Sequence, residues 1–194
     1  NKINDISIPP IPVRLFKDND LLSVEKNQII KTMTSSGTSG QGFSKIFLDR
    51  ETSTNQTKVL IKIISSFTGK KRLPMLIIDT NSVLKDRKMF SARGAGILGF
   101  SMLGYDVTYA LDEDMKLDIS TVEDFCNTHK NGNILIFGFT FMIYEYFYKI
   151  LAKERTQIRL DNGIMIHGGG WKKLRDVAVT NNQFKNLLDR VCGI

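Results

Sequence analysis

Three clusters of small residues have the types and spacing to do chemistry. The first runs Ser35-Ser36-Gly37-Thr38-Ser39-Gly40. Glycines let a backbone turn its N–H groups inward with no Cβ in the way, and Ser and Thr add hydroxyl donors, so such a loop can wrap a polyphosphate. By composition alone a plain turn is the other reading. It is not a Walker A loop: Gly37 and Gly42 have the spacing, but Phe43-Ser44 follows where Lys and Ser or Thr are required, and Lys45 is the nearest lysine. The second cluster, Gly94-Ala95-Gly96-Ile97-Leu98-Gly99, matches the dinucleotide fingerprint, with Asp114 downstream. That fingerprint works only directly after a strand, and residues 85–90 are charged, so the small residues read instead as a helix packed close to a sheet. The third, His167-Gly168-Gly169-Gly170-Trp171-Lys172-Lys173, follows a strand-like run. Three glycines at the carboxyl end of a parallel strand expose backbone groups to a flat ligand, or form a turn with Trp171 as an amphipathic lid.

Weaker candidates surround these. Phe137-Gly138-Phe139-Thr140 ends another strand-like run and leads into an aromatic helix, where core packing is the ordinary role and an apolar substrate pocket the alternative. Cys126 and His129 share a helix face, which permits a thiol–imidazole pair, although a buried structural Cys is the plainer reading. The basic runs at 70–72 and 85–88 lack interleaved aromatics and read as solvated faces, so no nucleic-acid partner is expected.

The elements that must position these residues follow from periodicity. Residues 29–33 and 44–48 flank the first loop as a β-hairpin or a strand-loop-strand. Apolar residues at 59, 60, 63, 64 and 67 mark one face of a helix over 51–67. Then strands over 73–79, 107–111, 134–137 and 163–167 alternate with helices over 91–103, 120–129, 141–153 and 180–190, the second opened by a Ser120–Glu123 capping box and the last by Thr180 and Gln183. The alternation predicts an α/β fold with a largely parallel sheet flanked by helices. Three of the four prolines fall at 9, 10 and 12, so residues 1–27 are expected as a Pro-rich arm packed on a domain that begins at 28.

Composition narrows the classes. The chain has 194 residues, 42% of them hydrophobic and 24% charged, enough for a packed core without disulfides. Its 27 basic and 20 acidic residues give a net charge of +7, which suits an anionic ligand without selecting one. Two Cys, at 126 and 192, make neither a disulfide framework nor a metal pattern. The most apolar stretch, residues 134–144, is far short of the ~20 residues a membrane span needs. The absence of a signal pattern and the two free thiols point to the cytoplasm.

In order along the chain, Phe16-Lys17 after the Pro-rich start, Ser35-Ser36-Gly37-Thr38-Ser39-Gly40, Phe137-Gly138-Phe139-Thr140 and His167-Gly168-Gly169-Gly170-Trp171-Lys172-Lys173 resemble the acyl-protein synthetase (LuxE) family of adenylate-forming enzymes. The resemblance covers nearly the whole chain. It implies ATP-dependent activation of a fatty acid as acyl-adenylate, with magnesium, then transfer of the acyl group to a protein cysteine. By that resemblance Ser35, Ser36, Gly37, Thr38, Ser39 and Gly40 would hold the β- and γ-phosphates, Thr38 making the leading contact; Gly168, Gly169 and Gly170 would line the adenine site. Phe137, Gly138, Phe139 and Thr140, with Trp171, would border the acyl pocket. Gln41 stands where many members of the superfamily have Lys, and Lys45 is the candidate to replace it. The family's magnesium-binding acid and acyl-accepting Cys have no counterpart in the chain, so it is expected to be part of the large N-terminal domain, incomplete over 28–194 and inactive alone. An acyl reductase or acyl transferase is the implied partner. A CoA ligase for an aryl or alkyl acid, or a nucleotide-binding module without chemistry, are the alternatives.

Overall fold

The computed structural model describes residues 10–35, 43–84 and 92–194. Ser36, Gly37, Thr38, Ser39 and Gly40 therefore lie outside the described residues, as does the basic run at 85–88.

A short helix, α1 (Leu15–Asp18), precedes a two-stranded antiparallel sheet of β1 (Ile29–Thr34) and β2 (Lys45–Asp49), the expected hairpin. The helix α2 (Arg50–Thr68) starts directly after β2 because Asp49 accepts the Thr52 N–H at 2.8 Å, satisfying an amide the helix cannot pair itself. Hydrogen bonding from the Thr52 side chain and then from its N–H holds the Asp49 carboxyl below its ordinary pKa. Its periodic apolar face is only partly used. Ile64 is buried and Leu60 touches the rim of the neighbouring helix, whereas Val59, Ile63 and Phe67 are exposed.

The main sheet is four-stranded and all parallel, in the order β4-β3-β5-β6: β3 (Leu73–Thr80), β4 (Gly104–Leu111), β5 (Ile134–Phe139) and β6 (Gly163–Gly168). Helix α3 (Ala92–Ser101) connects β3 to β4, and α4 (Ile119–Thr128) connects β4 to β5. From β5 to β6 the chain runs through α5 (Thr140–Met142), a π-helical stretch Ile143–Tyr148 and α6 (Lys149–Glu154). Helix α7 (Asn181–Cys192) follows β6.

Burial on β3 explains why its sequence is continuously apolar. Leu76 and Ile78 face a cluster with Val122, Phe125, Ile143, Phe147, Phe184 and Leu188, while Met75 and Ile77 face one with Ile97 and Phe137. A parallel strand covered on both faces has no solvated side to reserve for polar residues. Each fully buried Leu, Ile or Phe contributes about 1.5–3 kcal/mol by removal from water. On the second face α3 lies close to the sheet, as its small residues predict: a Cβ added to Gly96 would stand 2.9 Å from the Phe139 ring. In the aromatic stretch at 141–148 Phe147 is fully buried with Met142 and Ile143, while Tyr144 and Tyr148 pack half-buried at the edge of the same core.

One cap differs from expectation. The Ser120–Glu123 capping box does not open α4; the helix begins a residue earlier and Asp118 is the N-cap. Its carboxylate accepts from the Thr121 N–H at 3.0 Å and from the Thr121 and Ser120 hydroxyls, and these bonds lower its pKa. An ionised carboxylate, with two oxygens beside the positive end of the helix, outcompetes the single oxygen of Ser120. The Thr180–Gln183 box on α7 forms as read, with both reciprocal bonds present.

Candidate functional site

The strand order reverses beside β3. The chain leaves β3 to one side for β4, then crosses back to place β5 on the other side, so the connections after β3 and β5 part in opposite directions and leave a crevice at their carboxyl ends. In open α/β sheets this is where ligands bind. The third Gly cluster ends the adjacent strand, β6, so the fold brings it to the same edge.

At the end of β5, Thr140 is buried and its hydroxyl is the centre of a small network. Oγ1 lies 3.0 Å from His167 Nδ1, 3.1 Å from the Gly168 carbonyl and 3.2 Å from the Gly169 carbonyl. A hydroxyl has one proton to share between the two carbonyls and lone pairs to accept from the imidazole, so this arrangement satisfies all four groups when Nδ1 carries the proton. Burial lowers the His167 pKa, an Asn181 hydrogen bond opposes that shift, and the Lys185 charge adds to it. The neutral ring is thus favoured.

The network fixes the turn after β6. Gly169 has φ +75°, a conformation that costs glycine nothing and disfavours any side chain. A Cβ there would also meet the Phe139 ring at 3.0 Å. Phe139 is therefore held between Gly96 of α3 and Gly169 of the turn, and its ring meets Phe137 edge-on with centroids 5.7 Å apart. Open space stands over Gly168, where no atom would touch an added Cβ. An exposed glycine backbone beside an aromatic floor is a surface on which a flat heterocycle can lie with its edge near backbone donors and acceptors.

Trp171 closes the segment. It is half-buried, with its ring centroid 4.9 Å from Tyr144 and 5.5 Å from Phe184. Lys172 Nζ lies 5.0 Å above the Phe141 ring. The fold thus brings Phe137, Gly138, Phe139 and Thr140 to the edge where Gly168, Gly169 and Gly170 end β6, whereas Trp171 packs with Tyr144 and Phe184 in the cluster on the other face of the sheet from Phe137 and Phe139. Phe137 and Gly138 are buried within the sheet.

Ser35 and Lys45 belong to the hairpin. The Ser35 N–H donates to the Ser44 carbonyl and its Oγ accepts from the Ser44 N–H, both at 3.0 Å, closing the neck of the connection between β1 and β2. Lys45 Nζ is 2.9 Å from Asp20 Oδ1, which ties the N-terminal segment to the hairpin.

One pair at the crevice escaped sequence reading. Asp79, at the carboxyl end of β3, is 1% exposed and forms a two-bond ion pair with Arg93 in the first turn of α3, Nε to Oδ2 at 2.7 Å and Nη2 to Oδ1. The Thr80 N–H donates to the same carboxylate at 2.7 Å. The Tyr109 phenol is raised above its ordinary pKa by burial and by the Asp79 charge. The only hint in the sequence was an acid closing an otherwise apolar strand; its partner lies 14 residues on.

Cys126 and His129 do not pair. His129 Nε2 donates to Asp106 at 2.7 Å instead, and burial pushes the Cys126 thiol up to about 11 and the Cys192 thiol up to about 12. Neither has the character of a nucleophile. Among the described residues no group of three or more His, Cys, Asp or Glu could hold a metal ion, and no helix is long and apolar enough to cross a membrane.

A family model described as acyl-protein synthetase, LuxE, matches residues 1–194. Comparison with curated proteins and with solved structures finds no match.

Proposed function

Since the chain belongs to the LuxE acyl-protein synthetase family, we propose that it serves the ATP-dependent activation of a fatty acid as acyl-adenylate, from which the acyl group passes to a protein cysteine. The observation that carries the reading is the Thr140 network, which holds a glycine turn over Phe139 beside the crevice of the parallel sheet. Gly168, Gly169 and Gly170 would receive the adenine ring, and Phe137, Gly138, Phe139 and Thr140, with Trp171, would border the acyl pocket. Ser35, Ser36, Gly37, Thr38, Ser39 and Gly40 would hold the β- and γ-phosphates, with Lys45 exchanging Asp20 for a phosphate oxygen.

Such a reaction needs little covalent chemistry from the protein. The carboxylate attacks the α-phosphorus, pyrophosphate departs, and the protein's part is to position donors where negative charge develops. Magnesium would supply further neutralisation of the phosphates, and no residue of this chain is assigned to it. Acyl transfer then needs a thiolate. The raised pKa of Cys126 and of Cys192 argues against either as acceptor, so the acceptor would be another cysteine, and an acyl reductase or acyl transferase is the class of partner to use the product.

Binding tests the reading directly. ATP and AMP should raise the unfolding temperature while NAD does not, because a ligand bound only to the native state stabilises it by linkage. Equal shifts for all three nucleotides, or none, would sink the assignment. For the chemistry, ATP–pyrophosphate exchange dependent on a fatty acid and lost in Thr38→Ala is expected of a longer chain that carries the family's magnesium-binding acid. Acyl transfer to CoA rather than to protein would move the protein to the CoA ligases.

A further inference from the structure

We propose a second ligand site, for a phosphate group, at the opposite end of the sheet from the crevice. The eight residues of β3 at ~3.3 Å each separate the two ends by roughly 25 Å, so this site is independent of the adenylation reading. A cavity of about 340 Å³, open to solvent, lies there against the amino ends of β3, β4 and β5, with Lys71, Arg72, Tyr105, His129, Asn131 and Asn133 on its walls.

Its walls are built rather than incidental. Asp106 has φ +48°, a left-handed conformation, and lies within a register shift between β3 and β4. Such an irregularity re-aims a side chain out of the strand's alternation. Here it brings the Asp106 carboxylate to His129 Nε2 at 2.7 Å, fixing the imidazole against Phe125, with centroids 4.8 Å apart, and edge-on to Tyr105. Asn162 then secures the turn beneath the cavity by donating from Nδ2 to the His129 carbonyl at 3.2 Å and to the Gly132 carbonyl.

That wiring leaves a donor-rich lining. Two of the turn's carbonyls are taken by Asn162, the Thr128 hydroxyl donates to the Asp124 carbonyl, and among the described residues no acidic side chain lines the cavity, the Asp106 carboxylate being paired with His129. What remains toward solvent is the Lys71 ammonium, the Arg72 guanidinium, the Tyr105 hydroxyl and the Asn131 and Asn133 amides. The end of α4 opposes an anion with about half a negative charge, and the Asp106 carboxylate paired to His129 with at most one more. Two full positive charges outweigh these together, and the guanidinium fork matches two phosphate oxygens. The volume admits a phosphomonoester of small-molecule size.

Titration of the intact chain with inorganic phosphate and with phenyl phosphate, followed by ¹H–¹⁵N spectra, tests the site. Saturable shifts at Tyr105, His129, Asn131 and Asn133 are expected. Lys71→Ala/Arg72→Ala should weaken binding about tenfold or more, whereas Lys70→Ala/Lys130→Ala, which removes the same charge from side chains outside the cavity, should change it less than about twofold. All four side chains are exposed, so the unfolding temperatures of both variants should match the parent. Tighter binding of phenyl phosphate supports an organic phosphomonoester as the ligand, and equal binding supports phosphate itself. No saturable shift with either probe, or equal weakening in both double variants, overturns the proposal.

Discussion

Replacing Arg93 by Met retains much of the side-chain stem and removes both charged donors from Asp79, leaving a carboxylate that is 1% exposed and still accepts from the Thr80 N–H. Breaking a buried ion pair from one side costs about 3–5 kcal/mol, because the orphaned charge has lost its water as well as its partner. The Arg93 side chain is itself 26% exposed, so water can reach part of the vacated space. That puts the cost near the lower bound, about 3 kcal/mol. At about 2–4 °C per kcal/mol for a domain of this size, the unfolding temperature should fall by roughly 6–12 °C. Urea unfolding followed by far-UV circular dichroism and by the fluorescence of Trp171, the single tryptophan, gives the free energy by linear extrapolation. The companion variant Asp79→Leu/Arg93→Met removes both charges and should cost less than Arg93→Met alone. An Arg93→Met variant within about 1 kcal/mol of the parent, or a double variant costing the sum of the singles, would refute the claim that this pair is energetically coupled.

Three further outcomes are expected. Thr140→Val deletes the hydroxyl shared by His167, Gly168 and Gly169 and should cost about 1–3 kcal/mol, with amide shifts concentrated at residues 167–170 and weaker AMP binding; shifts spread evenly over the sheet would count against a local clamp. Because burial depresses the folded pKa of His167, the unfolded imidazole binds its proton first as pH falls. The stability this contributes is present above the unfolded value of about 6.5 and is lost as pH drops through the folded one, so unfolding temperature should fall less steeply below that pH in His167→Gln. With thiols raised to about 11 and about 12, Cys126 and Cys192 should resist iodoacetamide at pH 8 in the native protein and react readily in urea; rapid native labelling at either would contradict its burial.

The hairpin, the parallel strands and the last capping box were legible in the sequence because each rests on local rules. Period two, period 3.6 and the Thr180–Gln183 spacing are properties of a few consecutive residues. Where two local signals competed, the sequence was less decisive. Ser120 has capping-box spacing, yet Asp118 two residues earlier provides the stronger acceptor and starts the helix. The apolar stripe of α2 correctly marks a helix, but only contact with the rest of the fold determines that Ile64 is buried and Phe67 is 72% exposed.

The glycine and aromatic clusters were visible in the sequence as residues able to meet a flat or phosphorylated ligand, and their order was enough to indicate the family. Their assembly depended on strand order. Thr140 and Gly169 are 29 residues apart and meet because β5 and β6 are neighbours in register. Asp79 finds Arg93 across a separation that no periodicity encodes. Local residue choice determines which backbone conformations are cheap, whereas sheet order determines which distant side chains share a solvent-excluded space, and in that space hydrogen bonds and charges gain most of their effect.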